Sequence, residues 1–305
     1  MATNRRLTCE TCGEAASLRV RKTNAVVCRR CFAFWFEEDV HATIRREAIF
    51  RAGERVAIGV SGGKDSTIVS YAQLYGYTMD RIHAQIGAKN NCTYCGVFRR
   101  HALDNGSETM RADKVATGHN ADDIAETVLL NVLRGDLPRL QRCTSAITGA
   151  EGSLPRVKPF KWSFEKDIVM YAHFQQLNYF STECKYAPDA FRGHARTLIK
   201  DLERDRPAAV LDLIRAGELI RVRKDVAQQT MSTCERCGYI SSQRFCKACL
   251  LLAGLQTGDT TIGISKKLSS DVVESVQRLP KGGDCGGEGG SCACADGSAT
   301  KSVDF

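Results

Sequence analysis

Apolar and polar positions along this chain follow two periods. Val56-Ala57-Ile58-Gly59-Val60 is a short continuous apolar run, the pattern of a buried strand. Lys114-Val115-Ala116-Thr117 reads as a second strand. Directly after it the period changes. Ile124, Val128, Leu129, Val132 and Leu133 recur at helical spacing, so an amphipathic helix is expected from Ile124 to Leu133. Further helices are expected from Glu37 to Phe50, near Glu165 to Leu177, and within Glu203–Gln229. In the last of these Pro207 suits a first turn, and Val210, Leu211 and Ile214 make an apolar face. At 305 residues the chain has room for one α/β domain plus small appended modules. No stretch approaches the roughly 18 apolar residues of a membrane span.

The turn after the first strand, Ser61-Gly62-Gly63-Lys64-Asp65-Ser66, carries the strongest chemical signal. Two glycines let the backbone turn sharply and approach a ligand closely. Successive amide N–H groups then form a nest for an anion beside the positive end of a helix. Lys64 adds a mobile charge, and Ser61 and Ser66 add hydroxyl donors. A Walker A loop is excluded, because Ile58 stands where its first glycine belongs and Asp65 follows the lysine.

Charge and cysteine content narrow the setting. The formal net charge is +8, with basic clusters at Arg19-Val20-Arg21-Lys22, Arg29-Arg30, Arg45-Arg46 and Arg99-Arg100, which suits a polyanionic partner. Aromatic content is 7%, too low to mark a stacking platform for single strands. The opening residues lead into no apolar signal segment, and with 15 cysteines the chain reads as a cytoplasmic protein whose thiols stay reduced. In that setting paired cysteines favour metal over disulfide.

Cys9-x2-Cys12 is followed after 15 residues by Cys28-x2-Cys31, and Cys234-x2-Cys237 after eight by Cys246-x2-Cys249. Each C-x2-C knuckle offers two thiolates, and two knuckles close a tetrahedron around zinc, leaving no open position for chemistry. Gly238 suits the tight turn of its knuckle. Cys92-Thr93-Tyr94-Cys95 has no second pair nearby; Cys143 and Cys184 are its remaining candidates. Three thiolates on a 4Fe–4S cluster leave one iron without a protein ligand. An inert buried cysteine is the plain alternative for Cys184, and a catalytic thiol pair is a third reading. Cys285, Cys292 and Cys294 lie in the tail and receive no role.

Gly118-His119-Asn120-Ala121-Asp122-Asp123 joins the second strand to its helix. Asn120 or Asp122 can cap that helix, and acidic residues in a first turn are ordinary helix-start chemistry. Beside a phosphate loop, the same carboxylates can instead hold the magnesium of bound ATP or act as acid or base.

Taken with Arg134-Gly135-Asp136 and Glu183-Cys184-Lys185-Tyr186, these motifs resemble the tRNA thiolase branch of the PP-loop ATP-pyrophosphatases, and the two ribbons resemble those of its 2-thiouridine synthetases. The resemblance covers roughly residues 5 to 255. It implies a PP-loop parallel sheet with a zinc ribbon at each end, and ATP-dependent 2-thiolation of the wobble uridine of cytoplasmic tRNAs. ATP would adenylate the 2-carbonyl oxygen, and sulfur would then displace AMP. It further implies a second subunit, and a ubiquitin-related modifier thiocarboxylate as sulfur source. By motif, Ser61, Gly62, Gly63, Lys64, Asp65, Ser66, Gly118, His119, Asn120 and Asp122 hold ATP and Mg2+. Cys92, Cys95 and Cys184 hold the cluster, Asp123 matches a catalytic acidic position, and Arg99 stands where relatives carry a basic catalytic residue. Arginine keeps that charge but does not readily give up a proton.

The implied organisation is a ribbon at 1–36, an ATP-binding domain at 37–202, a helical connector at 203–230, a ribbon at 231–255 and a tail at 256–305, disordered from about Pro280. One departure stands out. Only eight residues separate Ser66 from Tyr75, too few for the β–α unit that follows the loop in this superfamily. Impaired ATP turnover is therefore expected, and a tRNA- or partner-binding scaffold is one alternative function. Another PP-loop adenylating ligase is the second alternative.

Overall fold

The computed structural model describes residues 7–59, 74–149, 154–179, 184–186, 190–220 and 231–279. The phosphate-loop residues Ser61, Gly62, Gly63, Lys64, Asp65 and Ser66, and the tail beyond Leu279, lie outside them.

A short hairpin, β1 (Leu18–Arg19) and β2 (Val26–Val27), opens the described chain and leads into helix α1 (Arg29–Arg46). This helix starts well before the expected Glu37. Cys28 is its N-cap in extended backbone, and Phe32 N–H donates to the Cys28 carbonyl at 2.9 Å, so the second cysteine knuckle is itself the first turn. Phe32 and Phe36 are buried and face Phe160, Tyr171 and Phe174.

The central sheet runs β3 (Val56–Gly59), β4 (Lys114–Thr117), β6 (Arg156–Val157), β5 (Ile147–Thr148). β3, β4 and β6 are parallel. β5 is antiparallel to β6, so the sheet is mixed where wholly parallel pairing was expected. The β5–β6 connection is too short for a helical crossover, which leaves a hairpin as the available geometry.

Strand register sorts the sheet into two covered faces. Val56, Ala116 and Val157 share one face with Ile49, Ile44 and Phe50 from the end of α1 and the loop after it. On the other face helix α3 (Asn91–Thr109) lies close enough that a Cβ on Gly59 would touch the Leu103 side chain at 3.4 Å. Helix α2 (Met79–Ile86) precedes it, with Thr78 capping through a 3.2 Å bond from Arg81 N–H. Ile58 is 73% exposed, and among the described residues β3 has β4 as its single neighbour.

Helix α4 (Ala121–Leu133) follows β4, and α5 (Leu137–Cys143) follows it with Asp136 as N-cap. Together with α7 (Phe191–Asp205) and α8 (Ala208–Leu219) they enclose a core of Ile124, Val128, Leu140, Ile199, Val210, Leu211 and Ile214. The expected helical stretch after 203 is thus two helices, broken at Arg206-Pro207. Pro207 starts the second with φ −53°, as its fixed ring angle favours. Helix α6 (Glu165–Phe174) packs on α1.

A second hairpin, β7 (Ser232–Thr233) and β8 (Ile240–Ser241), leads into α9 (Lys247–Thr257). α9 is apolar all round and buried from Ala248 to Leu255, as a helix enclosed on every side must be. Its neighbours are Met79 and Ile82 of α2, Tyr94 and Phe98 of α3, and Val272 and Val276 of α10 (Ser270–Gln277). The ribbon, α2 and α3 therefore share one core.

Candidate functional site

Cys9, Cys12, Cys28 and Cys31 place their Sγ atoms within 4.8 Å of one another, and so do Cys234, Cys237, Cys246 and Cys249. All eight are free thiols. Cys12–Cys28 and Cys237–Cys246 stand at 3.6 Å, and Cys234–Cys249 at 3.8 Å. Four sulfurs at about 2.3 Å from one zinc make a tetrahedron with edges of about 3.8 Å. The donor sets thus fit the expected metal. Gly238 has φ +74°, the turn its knuckle requires.

α3 carries Cys92, Cys95 and Arg99 at helical spacing i, i+3 and i+7, which places them on one face. Cys184 is brought to the same end by Asn91. The buried Asn91 Nδ2 donates to the Tyr186 carbonyl at 2.9 Å, while Lys185 and the Tyr186 hydroxyl both donate to Asp80 at 2.9 Å. Burial pushes the Cys92 thiol above its ordinary value, the charges of Cys184 and Cys95 push the same way, and Arg192 and Arg99 oppose them. The three cysteines share one neighbourhood without the tight packing of the ribbon sets. Cys143 is elsewhere, donating to the Leu140 carbonyl at 3.1 Å.

At the start of α4, Asn120 is the cap. Its Oδ1 accepts from Asp123 N–H at 3.0 Å, and Asp123 Oδ2 accepts from Asn120 N–H at 3.3 Å. Asp122 is buried and both its oxygens are occupied, by Glu165 N–H and by Lys200 Nζ, each at 2.7 Å. Against burial, which alone lowers it, hydrogen bonds with Asp122 and Glu165 hold Lys200 above its ordinary value. Asp122 therefore ties α4 to α6 and α7, and Asp123 is held likewise, by the Asn120 N–H and by Arg192.

Around Asp123 the charge is positive. Arg192 Nη2 is 3.4 Å from Asp123 Oδ1, and Arg192 Nε donates to Glu126 at 2.6 Å. Glu126 is 2% exposed and also accepts from Arg196 at 2.7 Å. His119 Nδ1 lies 2.8 Å from Thr117 Oγ1. Burial lowers its basicity; Asp123 works against that, and Lys158, Arg192 and Arg99 reinforce it. Lys158 follows β6 and donates to the Cys143 and Ser145 carbonyls, each at 2.9 Å; burial lowers it to about 8. Local composition marked neither Arg192 of α7 nor its partner Glu126 of α4, and Lys158 was unmarked because β6 is two residues long. These side chains converge where β4 and β6 end, and β3 ends beside them with Gly59 paired to Thr117. Open α/β sheets take ligands at the carboxyl ends of their strands.

This arrangement places the molecule among α/β proteins of the PP-loop type carrying a cysteine ribbon at each end. The fold is similar to that of the U34-tRNA thiolase NcsA from Methanococcus maripaludis, solved with its 4Fe-4S cluster. The TM-score is 0.54 at 22% identity, covering 72% of this chain and 91% of that one. A zinc-ribbon family profile matches residues 232–263. The chain is 49% identical over 330 residues to cytoplasmic tRNA 2-thiolation protein 1 of Caenorhabditis briggsae, covering 91% of this chain and 89% of the relative. It is 50% identical over 300 residues to the Arabidopsis thaliana protein of the same name, covering 82% and 84%. The chain belongs to the cytoplasmic tRNA 2-thiolation protein 1 family. The 330-residue alignment is longer than the 305-residue chain, so the worm relative has residues that this chain lacks.

Proposed function

We propose that this chain is a subunit of a cytoplasmic tRNA thiolase that converts the wobble uridine to 2-thiouridine. What supports the reading is that Cys92, Cys95 and Arg99 share one face of α3, with Tyr186, two residues after Cys184, tied to Asn91 at the start of the same helix. A urea-like carbonyl oxygen leaves poorly, and adenylation converts it into a good leaving group. ATP with Mg2+ would lie over Ser61 through Ser66, its phosphates beside Lys64. Arg99, Lys158 and Arg192 would stabilise negative charge on the transferring phosphoryl group and on the tRNA backbone. Asp123, held by Arg192 and the Asn120 cap, is placed to take a proton. Bound on Cys92, Cys95 and Cys184, a 4Fe–4S cluster would supply an iron without a protein ligand on which sulfur can be held. The two zinc ions would be structural. The sulfur would come from a ubiquitin-related modifier thiocarboxylate, and cytoplasmic tRNA 2-thiolation protein 2 would be the second subunit.

A second reading is favoured by the bare β3 edge, the exposed Ile58 and the missing β–α unit. In it this chain keeps its cysteine centre and tRNA contacts but adenylates poorly, acting as a scaffold. One anaerobic experiment separates the two. Iron and sulfide are quantified after reconstitution, and pyrophosphate release is then followed with ATP and tRNA. Iron loading with release supports the enzyme; iron loading and tRNA binding without release supports the scaffold; no iron loading with pyrophosphate release points to another PP-loop adenylating ligase.

A further inference from the structure

We propose that the C-terminal ribbon is a strut of the cysteine centre, and that His101 is the positioning residue through which its metal holds α3. The inference rests on the reading of Cys92, Cys95 and Cys184 as one site.

α3 works with two faces. Cys92, Cys95 and Arg99 occupy one. Tyr94, Phe98 and His101, also at i, i+4 and i+7, occupy another and are 0%, 0% and 7% exposed. The second face lies against the ribbon core, where Cys246 and Cys249 are themselves buried, and Cys95 packs against the same core. His101 is the polar contact on that face. Its ring meets Tyr239 at 4.4 Å between centroids, and its Nε2 is 3.9 Å from Cys237 Sγ. Two groups approach Nδ1: the Tyr75 hydroxyl at 2.7 Å and Asn105 Nδ2 at 3.4 Å. An amide nitrogen only donates. With Nδ1 accepting from Asn105, the neutral ring carries its proton on Nε2, facing the sulfur; the Tyr75 hydroxyl also reaches the Phe98 carbonyl at 3.4 Å. The contact is long for a thiol, but a metal-bound thiolate carries charge and accepts more strongly.

A second tie lies one turn further along. Asp104, 2% exposed, accepts from the Tyr239 hydroxyl and from Arg156 of β6. Tyr239 is held in turn by the knuckle: its carbonyl accepts from Cys234 N–H at 2.8 Å, and Gly238 N–H donates to Cys234 O at 2.9 Å. The metal that gathers Cys234 and Cys237 thus fixes Cys237 and Tyr239, and these fix His101 and Asp104 on the helix that presents Cys92 and Cys95. The N-terminal ribbon docks elsewhere, through Phe32 on Phe174 and Phe36 on Tyr171.

The test uses the full chain, purified anaerobically with zinc and without iron, and three proteins: wild type, His101→Phe and His101→Gln. Phenylalanine keeps the ring and removes the donor, while glutamine returns an N–H. A chelator is added, and alkylation by iodoacetamide is followed peptide by peptide by mass spectrometry. Second-shell donors typically change metal retention tenfold or more, so in His101→Phe the Cys234 and Cys237 peptides are expected to lose protection roughly tenfold faster. Cys92 and Cys95 should gain reactivity in step, and His101→Gln should return both toward wild type. Cys9 and Cys12 report on the N-terminal zinc and should not change, which distinguishes a local effect from unfolding. Unchanged protection of Cys234 and Cys237, or faster zinc loss with Cys92 and Cys95 unaltered, overturns the proposal. Failure of the shared-site reading shows separately, as wild-type protein that takes up no iron.

Discussion

Asn91 and Tyr186 are 95 residues apart in sequence, and a 2.9 Å hydrogen bond from Asn91 Nδ2 to the Tyr186 carbonyl joins them. Asn91 is 1% exposed and lies next to Cys92 on α3; Tyr186 lies two residues after Cys184. This buried amide, with the Lys185 and Tyr186 bonds to Asp80, ties the segment of the lone cysteine to the end of α3 that carries the cysteine pair. Asn91→Ala removes that tie and leaves a buried carbonyl unsatisfied, at a cost of about 1–3 kcal/mol. The expected outcome is a lower melting temperature and reduced iron uptake on reconstitution, with zinc content unchanged. Full iron uptake would show that Cys184 is held by other means.

Asp122 and Asp123 are adjacent, and their removal should have different consequences. Asp122 is a buried partner of Lys200 and of the α6 N-terminus. Lys200 keeps Glu165 at 2.8 Å and Glu203 at 3.4 Å, so the loss in Asp122→Ala is that of a buried acceptor for two donors, about 2 kcal/mol. Asp123 contributes the reciprocal half of a capping box, so Asp123→Ala should cost about 1 kcal/mol. Urea denaturation of the two variants checks the order; equal losses would refute the assignment of Asp122 as the structural carboxylate.

Asp167 makes the fold pH-sensitive. Burial raises its carboxyl to about 7; Arg21 opposes that, and Glu203, Asp39 and Asp122 add to it. An unfolded aspartate titrates near about 4. Between these values the folded chain binds a proton that the unfolded chain does not. Stability therefore falls as pH rises through that window, and the loss is complete above about pH 7. Asp167→Asn is neutral throughout. It should melt higher than wild type at pH 8, with the gap narrowing toward pH 5. Parallel melting curves for the two proteins across that range would contradict the assignment.

The parts of the fold legible in the sequence are those fixed by local chemistry. The four-cysteine sets, the Lys114–Thr117 strand and the Asn120 cap follow from spacing, alternation and helix-end hydrogen bonding, and each of these acts within a few residues. The early start of α1 was not legible, because the cysteine knuckle and the helix overlap at Cys28. Neither was the antiparallel β5, which is two residues long and has too few positions for a period to show. The cations of the cleft were legible in part. Arg99 belongs to a cysteine motif, while Lys158 acquires its place from the Cys143 and Ser145 carbonyls and Arg192 from Glu126 and Asp123. The direction of Asp122 depends on Lys200, 78 residues away, and no local pattern encodes it.

The bare edge of β3 leads to the last prediction. The relative from Caenorhabditis briggsae contains residues with no counterpart here, and the eight residues between Ser66 and Tyr75 are too few for a strand with its crossover helix. A β–α unit at that place would pair with β3, cover Ile58 and wall the adenine side of the cleft. Inserting the corresponding worm segment between Ser66 and Tyr75 should therefore act in two ways at once. The chimaera should resist aggregation, because a long exposed parallel edge is removed. It should also bind ATP in calorimetric titration at concentrations where this chain binds none. A chimaera that is better behaved but still fails to bind ATP would separate the two effects. The edge would then account for solubility, and the nucleotide deficit would have to lie in the phosphate loop itself.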